Sequence, residues 1–165
     1  MANIGQREVS RNYKYEVEIG AIGTFGFSMV SGLSDESEVI EYREGNMAAY
    51  PRKLVGQASS GDVTLERGAG DDEATAALLG WRETAKTIMD AGEPGSPLSM
   101  EDIREDIIIR VQGEIDQAVI LSYKLENAWP SAVEVGDLDA GASEVLIHTL
   151  TVVSERTSFA QLDSF

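Results

Sequence analysis

The stretch DDEATAALLGWRETAKTIMDAG, residues 71–92, is where the periodicity of the chain changes. Ala74, Leu78, Trp81, Ala85 and Ile88 recur at spacings of four, three, four and three, which puts them on one stripe of a helix. Asp71, Asp72 and Glu73 stand where the positive end of a helix dipole favours acids, and Gly92 followed by Pro94 closes the element. Burying Leu78, Trp81 and Ile88 contributes ~1.5–3 kcal/mol each, so the stripe predicts a helix lying on a sheet. No other segment carries a convincing helical period, and the sheet has to be built from what flanks this one.

On the N-terminal side, residues 13–22 alternate, with Tyr13, Tyr15, Val17 and Ile19 on one face and Lys14, Glu16 and Glu18 on the other. A second strand over residues 24–33 follows Gly23 closely enough for a hairpin, and Gly20, Gly23 and Gly26 read as bends or bulges. Residues 36–44 are different. Glu36, Glu38, Ile40, Tyr42 and Glu44 share one face and Ser37, Val39, Glu41 and Arg43 the other, so neither side is dry. An ordinary half-buried strand has one apolar face, and the mixture predicts a second face that meets water or another subunit. Residues 45–57, GNMAAYPRKLVGQ, carry loop punctuation but also Met47, Tyr50, Leu54 and Val55. Exposed apolar groups beside Arg52 and Lys53 predict a contact loop. Residues 59–67 read as the next strand.

On the C-terminal side, the turn-rich connector EPGSPLSM (93–100) leads to strands over 106–115 and 118–127, separated by Asp116 and Gln117 as in a tight hairpin. A connector over 128–141 then precedes a long last strand over 143–154. Strands, one helix, strands is an α+β order, mainly β, and not an alternating parallel fold. There is no internal repeat or low-complexity segment. A chain of 165 residues fits one domain, 1–165, able to bury a core without staples.

Composition narrows the function classes. Acids outnumber bases 29 to 13, a formal net charge of −16. Nucleic-acid affinity rests on Lys and Arg releasing counterions, so specific nucleic-acid binding is not expected. The acidity is either a solvated surface or a functional field. With no cysteine there is no disulfide or thiolate metal site, and one histidine makes a zinc site a poor expectation. The opening MANIGQREVSRNYKYEVEIG has no basic region leading into an apolar run, and nothing later approaches the roughly 18 apolar residues of a membrane span. A chain made in the cytoplasm without a signal peptide, and not inserted in a membrane as a monomer, is expected.

Candidate chemistry is sparse. Gly20, Gly23 and Gly26 have GxxGxxG spacing and precede a β-type segment, so the dinucleotide fingerprint fails twice. Gly68-Ala-Gly70 precedes the helix, but three carboxylates follow where a phosphate needs bare N–H groups. His148 lies in a β-pattern with no nucleophile to serve. Glu38 and Glu41 point to opposite faces of a strand unless a bulge intervenes. Asp137 and Asp139 lack the glycine and downstream glutamate of a calcium loop. Trp81 belongs to the helix core, whereas Trp129, before Pro130 at a strand exit, suits a domain corner or a subunit interface. No catalytic, cofactor or metal residue is assigned.

The order of FSMVSGLSDESEVIEYREGN (27–46), PRKLVGQASSGDVTLERG (51–68), one W-R helix and YKLENAWPSAVEVGDLDAGASEVLIHTLTV (123–152) resembles tail tube proteins of contractile phages and phage-like contractile injection systems, over roughly residues 12–154. The resemblance implies an antiparallel β-sandwich or barrel-like core with one flanking helix, a short N-terminal arm and a C-terminal extension. It also implies a structural protein rather than an enzyme, forming stacked hexameric rings around a lumen for DNA or protein cargo. Sheath, baseplate and tube-capping proteins are the implied partners, and a virion or tail-like particle, released from the cell in some systems, the implied location. By the family pattern, Tyr50, Pro51, Arg52, Lys53 and Leu54 belong to a ring-stacking loop. Trp129 and Pro130 are further interface candidates, and Glu38, Glu41, Arg43 and Glu44 lie on the mixed strand facing a lumen or a neighbour. The connector GEPGSPLSMEDIRED and the tail ERTSFAQLDSF are longer than the pattern. A tube-initiating baseplate ring is one alternative; an acidic domain binding a ligand or divalent metal, and a hydrolase using paired carboxylates, are others.

Overall fold

The computed structural model describes residues 14–45, 50–70, 72–90, 99–112, 119–138 and 144–161. Ten strands and one α-helix follow in the order β1 (Tyr15–Ile19), β2 (Gly23–Phe25), β3 (Met29–Ser31), β4 (Asp35–Tyr42), β5 (Arg52–Ser60), β6 (Val63–Gly68), α1 (Glu73–Asp90), a 3-10 turn (Met100–Ile103), β7 (Glu105–Gln112), β8 (Val119–Val135), β9 (Ile147–Val153) and β10 (Arg156–Gln161). All pairings are antiparallel. The path β2-β1-β7-β8-β9-β6-β3, with β10 also on β8, forms the body, and β4-β5 stand apart as a two-stranded ribbon. The expected α+β, mainly β architecture is present, with the body open rather than closed into a barrel.

The long strand β8 joins the two halves. Its first part pairs β7 on one side and β10 on the other, and its second part pairs β9. Asn127 adopts a left-handed φ of 51° between the two, and the register shifts between Pro130 and Ala132. A proline removes a ladder donor and is tolerated in a sheet at such irregularities. This corrects the expected connector from residue 128: the strand runs on to Val135 through Trp129 and Pro130. Pro130 is fully buried, opposite Val152, and its carbonyl accepts a hydrogen bond from the Arg82 guanidinium at 3.3 Å.

Alternation decides what is inside. Val17 and Ile19, Ile107 and Ile109, Leu125, Val63 and Leu65, and Leu150 and Val152 face one core, which α1 joins through Leu78 and Trp81. The helical stripe lies as expected, with Leu78, Trp81 and Ala85 buried, and Trp81 Nε1–H donates to the Ile103 carbonyl at 2.8 Å. Asp72 caps the helix by accepting from the Thr75 N–H at 3.0 Å and from the Thr75 hydroxyl. Those bonds, the Thr75 hydroxyl foremost, hold the Asp72 carboxyl below the usual aspartate range, with help from Arg67. Asp71, Gly92 and Pro94 lie outside the described residues.

Two further boundaries differ from expectation. The strand expected over 24–33 is two: β2 pairs β1, and β3 leaves to pair β6. The tail expected to extend past residue 154 contributes β10, in register with β8 from Arg156 opposite Glu126 to Gln161 opposite Leu121.

Candidate assembly interface

The segment over residues 45–57, expected as a loop, is in its second half a strand. Arg52, Lys53 and Leu54 open β5, which pairs with β4 through Tyr42–Arg52, Glu41–Lys53, Ile40–Leu54 and Val39–Val55. Proline at the entry and charges along the strand read as loop because they suit an edge, and among the described residues neither strand of this ribbon has a second partner. Tyr50 and Pro51 precede the strand, Tyr50 almost fully exposed and Pro51 half-buried, while Arg43 and Glu44 follow β4 and are exposed. Residues 46–49 lie outside the described residues.

The ribbon is a continuation of the body. β3 runs on into β4 and β5 into β6, so β3–β6 and β4–β5 are inner and outer halves of one long hairpin. Two glycines set the bend. Gly32 has φ 85°, and a Cβ there would fall 2.2 Å from the Asp62 carbonyl oxygen. At Gly61 a Cβ would fall 2.1 Å from Ser34 Oγ, and the Gly61 N–H donates to the Ser34 carbonyl at 3.1 Å. Beyond the bend the eight residues of β4 reach about 26 Å at ~3.3 Å per residue, and every one of them is exposed.

Directly paired residues share a face. One face of the outer arm therefore carries Val39, Val55, Glu41 and Lys53, and the other Ile40, Leu54, Tyr42 and Arg52. Val55 is 85% exposed and Leu54 50%. Apolar groups stand on both faces, as the mixed pattern predicts. The Glu41–Lys53 pair, 4.0 Å apart with both side chains mostly exposed, contributes little to stability. The Tyr42 hydroxyl donates to the Glu44 carboxylate at 3.0 Å. Glu38 falls at the register shift between Ser37 and Val39, but the extra residue of that bulge lies on β5, where Gly56 and Gln57 oppose Glu38, so the alternation along β4 still puts Glu38 and Glu41 on opposite faces. Gly56 lies opposite, where a Cβ would come within 2.9 Å of Glu38 Cβ.

The body leaves other surfaces uncovered. Among the described residues β2, β3 and β10 each have one strand partner, so each presents an open edge. On β10, Phe159 is half-exposed and meets Tyr123 edge-to-face with centroids 5.7 Å apart. Trp129 is half-buried and pairs across to Val153 on the side of β8–β9 away from the core. Pro130 is buried in its own chain, so of the two expected interface residues only Trp129 has surface to offer. β10 and the open edges were missed in sequence; the TSFAQ alternation after residue 156 is the signal that could have found β10.

The two outward faces of the body differ. Away from the core, β8, β9, β6 and β3 present Ala132, Glu134, Thr149, Thr151, Thr64, Glu66, Ser31 and the exposed Met29, with no Lys or Arg at these positions. The sheet of β1, β7, β8 and β10 is laced by ion pairs, Arg110 with Glu18, Lys124 with Asp106 at 3.0 Å and Arg156 with Glu126 at 4.0 Å. Burial pushes the Asp106 carboxyl up, but the Asn127 N–H and the Lys124 ammonium outweigh it and hold the group below the usual range.

Among the described residues no group of three or more His, Asp or Glu side chains is placed to hold a metal ion. His148 lines a small apolar crevice with Phe27, Leu65, Leu78 and Leu150 at the N-terminal end of α1. Beside it Arg67 donates to the Gly26 carbonyl at 2.9 Å and pairs with Asp72, tying helix to sheet. Asp139 lies outside the described residues. No described helix is long and apolar enough to cross a membrane.

Comparison with known proteins agrees with this geometry. The family described as T4-like virus tail tube protein gp19 matches residues 11–158. No curated protein sequence matches the chain. Among solved structures, the anti-feeding prophage cap, a tube-terminating cap, aligns at 23% identity over 98% of this chain and 99% of that one, TM-score 0.76. The sheath–tube complex of the extracellular contractile injection system PVC, in its extended state, aligns at 21% identity over 95% of each chain, TM-score 0.72. The anti-feeding prophage baseplate aligns at 22% identity over 93% and 96%, TM-score 0.70. At such identities these structures share the fold.

Proposed function

The chain belongs to the T4-like virus tail tube protein gp19 family, and from that premise we propose that six copies close into a ring and rings stack into the inner tube of a contractile phage tail or phage-like injection system. Its role as a tube protomer is structural, and the reading includes no reaction and no cofactor. The tube belongs to a virion or tail-like particle, with sheath protein around it and baseplate and cap proteins at its ends. Structures named for a sheath–tube complex, a baseplate and a cap share its fold.

The arm carries the reading. Val39, Val55, Ile40, Leu54 and Tyr42 stand on two opposite faces of one ribbon. A single flat partner covers one face, so an arm apolar on both sides fits between neighbouring subunits. Covering such a side chain completely contributes ~1.5–3 kcal/mol. Tyr50, Pro51, Arg52, Lys53 and Leu54 are then ring-stacking residues, Glu38, Glu41, Arg43 and Glu44 lie along the same contact, and Trp129 supports contact between protomers. Pairing between the open edges of β10, β2 and β3 on neighbouring copies removes the aggregation hazard of an exposed edge.

The cation-free face of β8, β9, β6 and β3 is the lining we assign to the lumen. Hydroxyls and carboxylates give a polyanionic cargo no adhesive contact, and salt limits the field to about 8 Å without removing it in a narrow passage. Lysine at Glu66 and Glu134 should retard cargo loading or release; unchanged transport by that variant discards the assignment. A second reading, the ring that starts the tube on a baseplate, is favoured by the baseplate match. Negative-stain imaging of the purified chain at high concentration decides. Long stacked tubes support the main tube, isolated rings the initiator, and a persistent monomer whose melting temperature rises with calcium overturns both.

A further inference from the structure

The face assigned to the lumen is organised in rows. Directly paired residues share a face, so Met29, Glu66, Thr149 and Glu134 form one row across β3, β6, β9 and β8. Ser31, Thr64, Thr151 and Ala132 form the next. Ile147, opposite Gly68, lies one row to the other side, and Val153 opposite Trp129 closes the face at the arm end. Met29 is 49% exposed and Ile147 39%. Among the described residues neither Glu66 nor Glu134 has an ion-pair partner, whereas Glu18, Asp106 and Glu126 on the other sheet are each paired with a Lys or Arg. One sheet supplies cations for these carboxylates; the other leaves two uncompensated beside exposed apolar groups.

Glu66 and Glu134 stand two strands apart, about 10 Å at ~4.8 Å per strand, too far to grip one metal ion together. A nucleic acid is held through cations on its phosphates, and these rows contain none. What the rows complement is a chain with both basic and apolar side chains. Resting on the tube reading above, we propose that this lining holds a polypeptide cargo, with Lys or Arg of the cargo on Glu66 and Glu134 and its apolar side chains on Met29 and Ile147. Thr64 and Thr151 in the neighbouring row offer hydroxyls to a peptide backbone, which any sequence presents, so the surface selects for charge and apolarity and not for one sequence. An exposed ion pair is weak alone. In a closed ring the row repeats around the passage and again in every stacked ring, so retention comes from many weak contacts to one chain.

Co-assembly with defined probes tests this. The full-length protein is assembled with a fluorescent peptide of Lys and Leu, with its Glu-for-Lys twin, or with a single-stranded oligonucleotide of matched length, and the tubes are pelleted and washed. Probe added to finished tubes measures attachment to the outside and is subtracted. The expected result is about tenfold or more retention of the basic peptide over the other two, falling as salt is raised. Glu66→Gln/Glu134→Gln should remove most of that excess, and Met29→Ser should lower the part that survives raised salt, with tube yield as the control for assembly. Equal retention of the three probes, or preference for the oligonucleotide, overturns the proposal, and the wild type alone decides this if a variant fails to assemble. Tubes of the glutamine variant that keep the basic peptide as the wild type does overturn it too. A wild type that forms no tubes overturns the tube reading and this inference with it, whereas well-formed tubes that hold no probe leave the tube reading standing and discard only the cargo surface.

Discussion

β5 and β6 are consecutive strands separated by Gly61 and Asp62, yet they live in opposite environments. Val63 and Leu65 on β6 are 0% exposed, while Leu54 and Val55 on β5 are 50% and 85% exposed. Both strands pair antiparallel with the segment that contains β3 and β4, but β6 also pairs β9 on its other side, whereas β5 has no second strand partner among the described residues. The layers differ as well. Behind β6 lie β1, β7 and α1, whose apolar side chains join it in one core, whereas β5 is mostly exposed and, beyond β4, meets β10 at its inner end around Ala58. Apolar residues in β6 stabilise the protomer, and in the proposed tube equally apolar residues in β5 would stabilise the assembly instead.

The comparison breaks if substitutions in the two strands have similar effects on the isolated protomer. Leu65→Ala should cost ~2–5 kcal/mol of folding stability, through lost transfer energy and a residual cavity, measured by denaturant unfolding at concentrations below assembly. Gly32→Val probes the joint between the halves. Its left-handed φ and the Asp62 oxygen 2.2 Å from a Cβ predict a loss of about 1–3 kcal/mol and a redirected arm, so tube growth should fall even in conditions where the protomer stays folded.

A smaller effect, confined to acid, is expected at the body's capping and ion-paired carboxylates. Asp72 and Asp106 both have folded values lowered from the usual range. Their stabilisation is present above the unfolded aspartate value, about 3.9, and is lost as pH falls from there through the lowered folded value. Asp72→Asn and Asp106→Asn should flatten the acid limb of a stability–pH profile and leave the neutral-to-alkaline limb parallel to wild type. A limb as steep as wild type in both variants removes these two groups from the account.

The smallest effect on the protomer belongs to the arm. Val55→Ser should change its stability by no more than about 0.5 kcal/mol, as for a surface site, while reducing pelletable tube. Equal polymerisation by this variant would erase the distinction between the two strands.

Which parts were legible in the sequence follows from where the partners lie. The α1 stripe is periodic within its own residues, and Leu78, Trp81 and Ala85 are buried where the spacing puts them. Val17 and Ile19 alternate with Glu16 and Glu18 and are buried likewise. The mixed faces of β4 stood out for the same reason: a strand without a dry side is visible in one dimension. β5 reads as loop in the sequence because Pro51, Arg52 and Lys53 suit an edge strand as well as a loop, and its partner β4 is not adjacent to it in the chain. The run through Trp129 and Pro130 reads as a connector because a proline disfavours a strand, and the bulge that accommodates it has no signature of its own.

By itself the sequence determined an acidic, cysteine-free, mainly β chain with one sheet-covering helix, the order of its segments, and a strand not meant to be dry on either side. These are properties of local periodicity and composition. Only the tertiary structure decided that β4 and β5 form one projecting arm, that β8 serves two sheets, and that β10 pairs along the first part of β8. The physical reason is that strand pairing joins residues far apart in the chain. Alternation specifies which side of a strand seeks cover, and the strand's neighbours in space decide whether its own chain supplies it.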